Sequence, residues 1–329
     1  MKEQLKSNRG GFLKFLGILF IILLILLGLA LGAGYAFLSS KLNNMNHVDI
    51  DESTITVNSG IEEELKNYRN IALFGLDSRD DSFSNSRSDC IIIVSISKKT
   101  NDVKLTSIYR DTYVDIDGHG LDKITHAYAY GGPELALSTI NKNLDLNITE
   151  FVTVNFETVK TVVDTIGGIT LTITDAEAQQ IGFSSGGTYT LDGDEALAYS
   201  RIRYIDSDYK RTERMRNVID AVFSKIKTKD ISQILEYVDI ILPHISTNIS
   251  NNSIIAMVPS VFSYNITDSL GWPYDVQGYS SDAWYGVPVT LESNVKELHQ
   301  ELFGNEDYTP SATVQEISDD IVSETGYSN

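Results

Sequence analysis

Six charged residues, Asp77, Arg79, Arg87, Asp89, Arg110 and Asp111, stand at the ends of three short apolar runs. Arginines in such places would grip phosphate oxygens as bidentate forks, and aspartates would hold a divalent cation or take a proton. A second constellation, from Ser200 to Arg216, packs Arg201, Arg203, Arg211, Arg214 and Arg216 into sixteen positions. Crowded like charges repel and lose hydration, so this cluster is expected to have an anionic partner. Asp206, Asp208 and Glu213 offer one inside the chain, and a ligand is the other. Arg201 and Arg203 are two apart, so an extended backbone would point both to one side. Arg214 and Arg216 read as solvated helix charges or partners of Glu213.

The elements that must position these groups follow from the apolar pattern. Ile71 to Leu76, Cys90 to Ile96 and Val103 to Tyr109 are of strand length, rich in β-branched residues and bounded by turn residues, so they read as adjacent buried strands. Lys98 to Asp102 is a polar turn short enough to join the second and third as an antiparallel hairpin. Rims of buried sheets are where α/β proteins place ligand chemistry, because strands fix the groups while loops stay accessible. A loop around Gly118 and Gly120 leads to a helix from Pro133 to Leu144 and a strand from Phe151 to Phe156. Thr158 to Ile166 has helical spacing closed by Gly167 and Gly168, and Ile169 to Ile173 alternates as a strand. Arg211 opens a helix whose apolar face uses Val218, Ile219, Val222, Phe223 and Ile226. The alternation predicts an α/β (α+β) fold with a mixed central β-sheet sandwiched by helices.

The chain has 329 residues, 42% of them hydrophobic, enough for a full core. Its formal charge of -19 argues against nucleic-acid binding, since a polyanion would be repelled over most of the surface. Cys90 is the single cysteine, which rules out an intrachain disulfide and reads as a buried structural thiol. Residues 1–14 are polar and basic, and 15–38 carry no charge. A helix over the latter would be about 36 Å long, against a hydrocarbon core of about 30 Å. The basic flank precedes the span, which predicts a single-pass cell-membrane protein with its N-terminus in the cytoplasm and its C-terminal domain extracellular. The run is too long for a cleaved signal peptide. Gly28 and Gly32 form a Gly-x-x-x-Gly pair through which two spans would pack as a homodimer. Residues 39–66 read as a stalk, 67–304 as the extracellular domain and 305–329 as an acidic mobile tail.

The ordered motifs are specific as a set. Asn70 to Arg79, Arg87-Ser88-Asp89, Ser107 to Val114, Lys123-Ile124 and Ala127 to Gly132 come first. Gly167-Gly168, Leu191 to Tyr199 and Arg211-Thr212-Glu213-Arg214 complete the series. In this order and spacing the chain resembles the LytR-CpsA-Psr family. The resemblance implies a membrane-anchored phosphotransferase that moves a glycopolymer, such as teichoic acid or capsular polysaccharide, from undecaprenyl-pyrophosphate to the 6-hydroxyl of peptidoglycan N-acetylmuramic acid. Matched position by position, Asp77 and Asp89 resemble its metal-coordinating carboxylates, and Arg87, Arg110, Arg201, Arg203 and Arg211 its pyrophosphate-binding arginines. Lys123 lies in a matching motif as a further phosphate contact, with Arg79 and Asp111 beside the same strand ends. Where the family has a glutamine pair, this chain has Met215 and Arg216.

Phosphoryl transfer asks for these residue types on its own account, because catalysis there is mostly positioning and electrostatic stabilisation. Mg²⁺ suits Asp77 and Asp89, and Mn²⁺ accepts the same oxygens. Zinc is disfavoured because no His/Cys cluster exists, and His47 and His126 read as incidental. The base for the acceptor hydroxyl is Asp89 or Asp111, with Asp89 serving as a metal ligand in the second case. Plainer readings stand beside these: the aspartates as turn or cap residues, and Arg110 with Asp111 as an internal ion pair. Apolar stripes at Val159 to Ile166 and Ile219 to Phe223 would line a lipid groove or simply form core. Rings at positions 264, 272, 274, 279, 284 and 285 would rim a glycan site. Two other functions fit the same phosphate grip: a non-catalytic polyprenyl-phosphate sensor or regulator of envelope biogenesis, and a lipid pyrophosphatase.

Overall fold

The computed structural model describes residues 36–76, 86–203, 205–206, 208–257, 263–281 and 283–328. The proposed membrane span, but for residues 36–38, lies outside these, as do Asp77 and Arg79. No helix among the described residues is long and apolar enough to cross a membrane.

The strands are β1 (Asn46–His47), β2 (Tyr68–Leu76), β3 (Ser88–Ser97), β4 (Asp102–Ile108), β5 (Tyr113–Ile116), β6 (Gly120–Lys123) and β7 (Glu150–Asn155), then β8 (Ile169–Ile173), β9 (Gly187–Leu191), β10 (Ser246–Thr247), β11 (Asn265–Trp272), β12 (Val276–Ser280) and β13 (Trp284–Pro288). The helices are α1 (Ile61–Glu64), α2 (Ile124–Leu144), α3 (Phe156–Thr165), α4 (Asp175–Gln180), α5 (Gly193–Ser200), α6 (Asp208–Lys227), α7 (Ile231–Ile241), α8 (Asn251–Met257), α9 (Leu291–Phe303) and α10 (Ala312–Thr325). Seven strands form one mixed sheet in the order β1-β10-β7-β2-β3-β4-β11, and three two-stranded ribbons flank it. The expected antiparallel hairpin is β3 with β4. β7 runs parallel to β2 and β11 parallel to β4, so the ends of β2, β4, β7 and β11 and the start of β3 meet at one rim.

The strands are buried on both faces. Phe74, Ile91, Ile93, Ile108 and Phe151 join one face to α2, α9 and α10 through Leu137, Leu298 and Ile317. The opposite face carries Ile71, Ile92, Val103 and Leu105, with Leu73, Val94, Val152 and Ile219 of α6 only partly buried against them. Toward the rim this second face changes character. Gly75 and Cys90 are paired there, and Ile92 is paired with Ser107, so small residues replace the large aliphatic ones.

Four expectations are corrected. Residues 39–66 are packed on the domain: β1 adds to the sheet edge beside β10, and Leu42, Met45, Ile55 and Leu65 are buried. The acidic C-terminus is a helix, α10, whose Val314, Ile317 and Ile321 enter the main core while its acids face outward. The helix expected from Pro133 starts at Ile124 and is kinked, since Gly131 and Gly132 leave helical geometry and Gly132 has φ of 64°. Trp272 is fully buried core, its Nε1 donating to the Asn294 carbonyl at 3.0 Å, and Tyr285 is also buried, so neither lies on a glycan rim.

Candidate active site

Arg110 and Asp111 are the two central residues of a β-turn that ends β4. The Thr112 amide donates to the Tyr109 carbonyl at 3.0 Å, and the Thr112 hydroxyl reinforces the same carbonyl at 2.6 Å. A turn places both side chains above the sheet rim without interrupting its ladder. Asp89 arrives from the neighbouring strand by a different device. Gly75 is paired with Cys90 but Leu76 with Ser88, so Asp89 is the extra residue of a β-bulge. Bulges re-aim a side chain at a strand end, and here the aim is toward Arg110.

The result is a connected row of alternating charge. Arg110 Nη1 donates to Asp89 Oδ1 at 2.8 Å, Arg110 Nε lies 3.4 Å from Asp111 Oδ2, and Lys123 Nζ lies 2.9 Å from Asp111 Oδ1. The last is a close charge contact whose alignment falls short of a hydrogen bond. All four side chains are at most 19% exposed. Both oxygens of Asp111 are therefore engaged by cations, whereas Asp89 keeps Oδ2 without a partner among the described residues. Arg87 stands exposed beside this row and makes no ion pair with another described residue.

The second arginine cluster reaches the same rim by two routes. The stretch from Asp192 to Glu195 is a capping box in which each side chain accepts from the other's backbone N–H. Gly193 lets α5 sit directly on α3, since a Cβ there would meet the Lys160 carbonyl at 2.6 Å. α5 so fixed delivers Arg201 at its C-cap, with the guanidinium 4.3 Å from the ring centroid of Phe156, the residue that follows β7. Arg203 is exposed nearby in sequence. The start of α6 is brought in by Tyr209, whose ring lies 4.2 Å from that of Tyr109. Arg211, in the first turn of α6, is 4% exposed.

Burial pushes the Cys90 thiol up to about 12, against the opposing pull of the Arg211 and Arg216 charges. Cys90 is thus an unreactive thiol near the start of β3.

Arg214 and Arg216 are not solvated. Arg214 is 2% exposed and forks onto Asp206 at 2.7 and 2.9 Å, with Glu177 at 3.3 Å and the Ile202 carbonyl at 3.1 Å; Glu213 instead pairs with Lys210. Arg214 thereby ties α6 to the Arg201–Asp206 segment. Arg216 is 6% exposed, donates from Nε to the Ser269 hydroxyl at 2.8 Å, and has Nη1 buried with no partner among the described residues. Burial pulls it below the ordinary arginine value.

A cavity of about 210 Å³ opens beside Asp111, lined by Tyr109, Tyr209, Val276 and Trp284. The β12–β13 hairpin that carries Trp284 is stapled there by the Gly286 amide, which donates to the Asp111 carbonyl at 2.9 Å. Trp284 is 48% exposed, so of the six rings expected at a glycan rim it is one that reaches the surface.

One group beside the row includes His126, which the sequence offered only as incidental. Asp122 and His126, spaced i and i+4, are joined through Asp122 Oδ2 and His126 Nδ1 at 2.8 Å, and Tyr130 donates to the same carboxylate oxygen at 2.8 Å. The spacing was the available signal.

A LytR_cpsA_psr family model matches residues 34–296 of this chain. The polyisoprenyl-teichoic acid–peptidoglycan teichoic acid transferase TagT of Bacillus subtilis (strain 168) is 34% identical over 277 residues, 78% of this chain and 85% of TagT. TagU of the same organism, named as the same kind of transferase, is 36% identical over 262 residues, 76% of this chain and 82% of TagU. A solved structure of the LytR-CPS2A-psr family protein YwtF (TagT) with bound octaprenyl pyrophosphate lipid superposes with a TM-score of 0.54 at 26% identity, covering 85% of this chain and 94% of that one. With four-fifths of its length matched, the chain belongs to the LytR-CpsA-Psr family.

Proposed function

We propose that this chain is a phosphotransferase that moves an anionic glycopolymer from undecaprenyl-pyrophosphate to the 6-hydroxyl of N-acetylmuramic acid in peptidoglycan. The observation that carries this reading is the row Asp89–Arg110–Asp111–Lys123 at the mouth of a half-covered apolar sheet face, with Arg211 buried beside it. A lipid diphosphate has the same two-part character. Its phosphates would meet Arg110, Lys123, Arg87, Arg201, Arg203 and Arg211, and its isoprenoid chain would follow Leu73, Val94 and Val152 down the strip. The octaprenyl pyrophosphate bound by a relative supports a lipid diphosphate as the class of ligand.

In such a site Arg110 does most when charge spreads over the nonbridging oxygens. Its Nη1 and Nε are held by Asp89 and Asp111, so the guanidinium is fixed before substrate arrives. Arg211 adds a second buried cation that the ligand need not reorganise. The cavity under Trp284 would seat a sugar against aromatic faces. Among the described residues no cluster of metal-binding groups is complete. The open Oδ2 of Asp89 is nevertheless a hard oxygen donor of the type Mg²⁺ or Mn²⁺ takes, and Asp77 would supply the second carboxylate. Bound there, the cation would supply neutralisation of the diphosphate charge. The uncharged run at 15–38 would anchor the chain in the cell membrane, with the domain on the outer side, and Gly28 and Gly32 would allow it to pair as a homodimer.

The test is product analysis. Full-length chain in lipid nanodiscs is incubated with undecaprenyl-pyrophosphate-linked glycan, Mg²⁺ and peptidoglycan oligomers, and the muramidase digest is examined by mass spectrometry. A glycan joined by phosphodiester to the muramic acid 6-position, with release of undecaprenyl phosphate, is expected. Free glycan phosphate with unmodified peptidoglycan would make the chain a pyrophosphatase, and unchanged donor would leave it a binding protein.

A further inference from the structure

The transfer reading leaves open where the acceptor's proton goes. Asp111 has both oxygens against cations, and Asp89 has Oδ1 on Arg110 and its open Oδ2 given to the proposed cation, so the two carboxylates first considered for that role have other work. The next titratable group along the rim is of a different kind. His126 is half-buried and held by Asp122 through Nδ1, while its Nε2 has no partner among the described residues.

Asp122 is itself well held. Burial alone would raise its carboxyl, but hydrogen bonds from His126, the Lys123 amide and the Tyr130 hydroxyl bring it below the usual carboxylate range. It is therefore an anion that fixes the imidazole tautomer with Nε2 as acceptor. Tyr130 stacks on His119 with ring centroids 4.0 Å apart and planes 9° from parallel, and is 47% exposed.

This group is rigidly tied to the phosphate row. Thr125, next to His126, donates its amide to the Arg110 carbonyl at 3.2 Å and its hydroxyl to the Ser88 carbonyl at 3.0 Å. Lys123, next to Asp122, reaches Asp111. The charge of Arg87 is felt at the Tyr130 hydroxyl. The groups facing the imidazole are thus Asp122 and Tyr130, with His119 stacked on the latter.

We propose that His126, oriented by Asp122, is the general base that takes the proton of the acceptor hydroxyl, and that the stacked His119–Tyr130 pair flanks the acceptor sugar. The inference rests on the transfer reading above. As the acceptor oxygen forms its bond to the phosphorus of the glycan phosphate, its O–H proton passes to Nε2. The bond from that phosphorus to the bridging oxygen breaks, and its electron pair leaves with undecaprenyl phosphate. The imidazolium, stabilised by Asp122, then returns the proton to water.

The test uses the full-length chain with undecaprenyl-pyrophosphate-linked glycan and peptidoglycan oligomers. His126→Ala and His126→Gln should each lower kcat for transfer by about 100-fold or more, the ordinary yield of a positioned base, with donor KM and thermal midpoint unchanged. Added imidazole should restore a large part of the rate to His126→Ala and none to Arg110→Ala. Asp122→Asn, which releases the imidazole to the other tautomer, should also lower kcat while leaving donor KM unchanged. Wild-type kcat in His126→Ala, or activity regained by His126→Gln, which keeps the hydrogen bond to Asp122 but cannot hold the proton, would overturn the assignment while leaving the transfer reading intact. Hydrolysis without transfer by the wild-type chain would overturn the acceptor chemistry, and the same variants would then report whether His126 serves water instead.

Discussion

Arg110 reaches Asp89 across 2.8 Å from a turn to a bulge, two irregularities on different strands that exist to bring these side chains together. The pair is the hinge of the proposed phosphate grip, since Arg110 also faces Asp111 and through it Lys123. Replacing Arg110 by Ala is expected to lower transfer by about 100- to 1,000-fold, the range for loss of one preorganised electrostatic donor. Arg110→Lys should recover little, because an ammonium cannot span two carboxylates and a phosphate as a planar fork does. Steady-state kinetics on the three proteins checks this.

Arg214 is expected to matter for folding rather than chemistry. Its removal strands Asp206 and Glu177 beside a buried hole, and Arg214→Ala should destabilise by about 3 kcal/mol, the low end for breaking a buried pair because Asp206 remains 29% exposed. Urea denaturation of wild-type and variant chains measures it directly.

A pH effect follows from His299. Burial holds this imidazole down to about 4 from its ordinary value of 6.5, while its Nε2 lies 3.1 Å from the Leu144 carbonyl and its ring stacks on Tyr308 at 3.7 Å. The unfolded chain binds this proton more readily than the native one, so the stability it confers is complete above pH 6.5 and is lost as pH falls from 6.5 toward 4. The loss is on the order of 3 kcal/mol. Chemical denaturation across that window should show the decline in wild type, and His299→Phe should lack this component.

The C-terminal helix gives a fourth expectation. Ile321 is 1% exposed and Val314 and Ile317 lie on the same face of α10. Ile321→Ala should cost about 2–4 kcal/mol, as deletion of a buried aliphatic does, and truncation after residue 304 should abolish cooperative unfolding. Calorimetry of both variants distinguishes this from a loosely attached tail, which would leave the transition unchanged.

The parts of this molecule that were legible in its sequence share one property: their cause is local. The β2, β3 and β4 strands announce themselves by β-branched runs between turn residues, and Asp89, Arg110 and Asp111 stand at strand ends where the rim must be. What escaped depends on distant partners. β1 is two residues long and exists because β10 lies beside it, so nothing within Asn46–His47 signals it. The acids of the C-terminal segment outweighed the spacing of Val314, Ile317 and Ile321, although that spacing is helical. Arg214 looks like any helix arginine until Asp206 and Ile202 fold over it. Trp272 was grouped with surface aromatics because a ring gives no sign by itself of the side it faces. The helix expected from Pro133 begins instead at Ile124, because Gly131 and Gly132 are a kink within it, and that earlier half carries His126.

Transfer of label decides whether the chain is a phosphotransferase. Undecaprenyl-pyrophosphate glycan radiolabelled in its sugar is mixed with full-length chain, Mg²⁺ and peptidoglycan oligomers, in parallel with Arg110→Ala. Label on the peptidoglycan with wild type, sharply reduced with Arg110→Ala and lost on chelation of the divalent cation, is the expected result. Donor that binds wild type yet stays intact, or label that moves equally well with Arg110→Ala, would contradict the account.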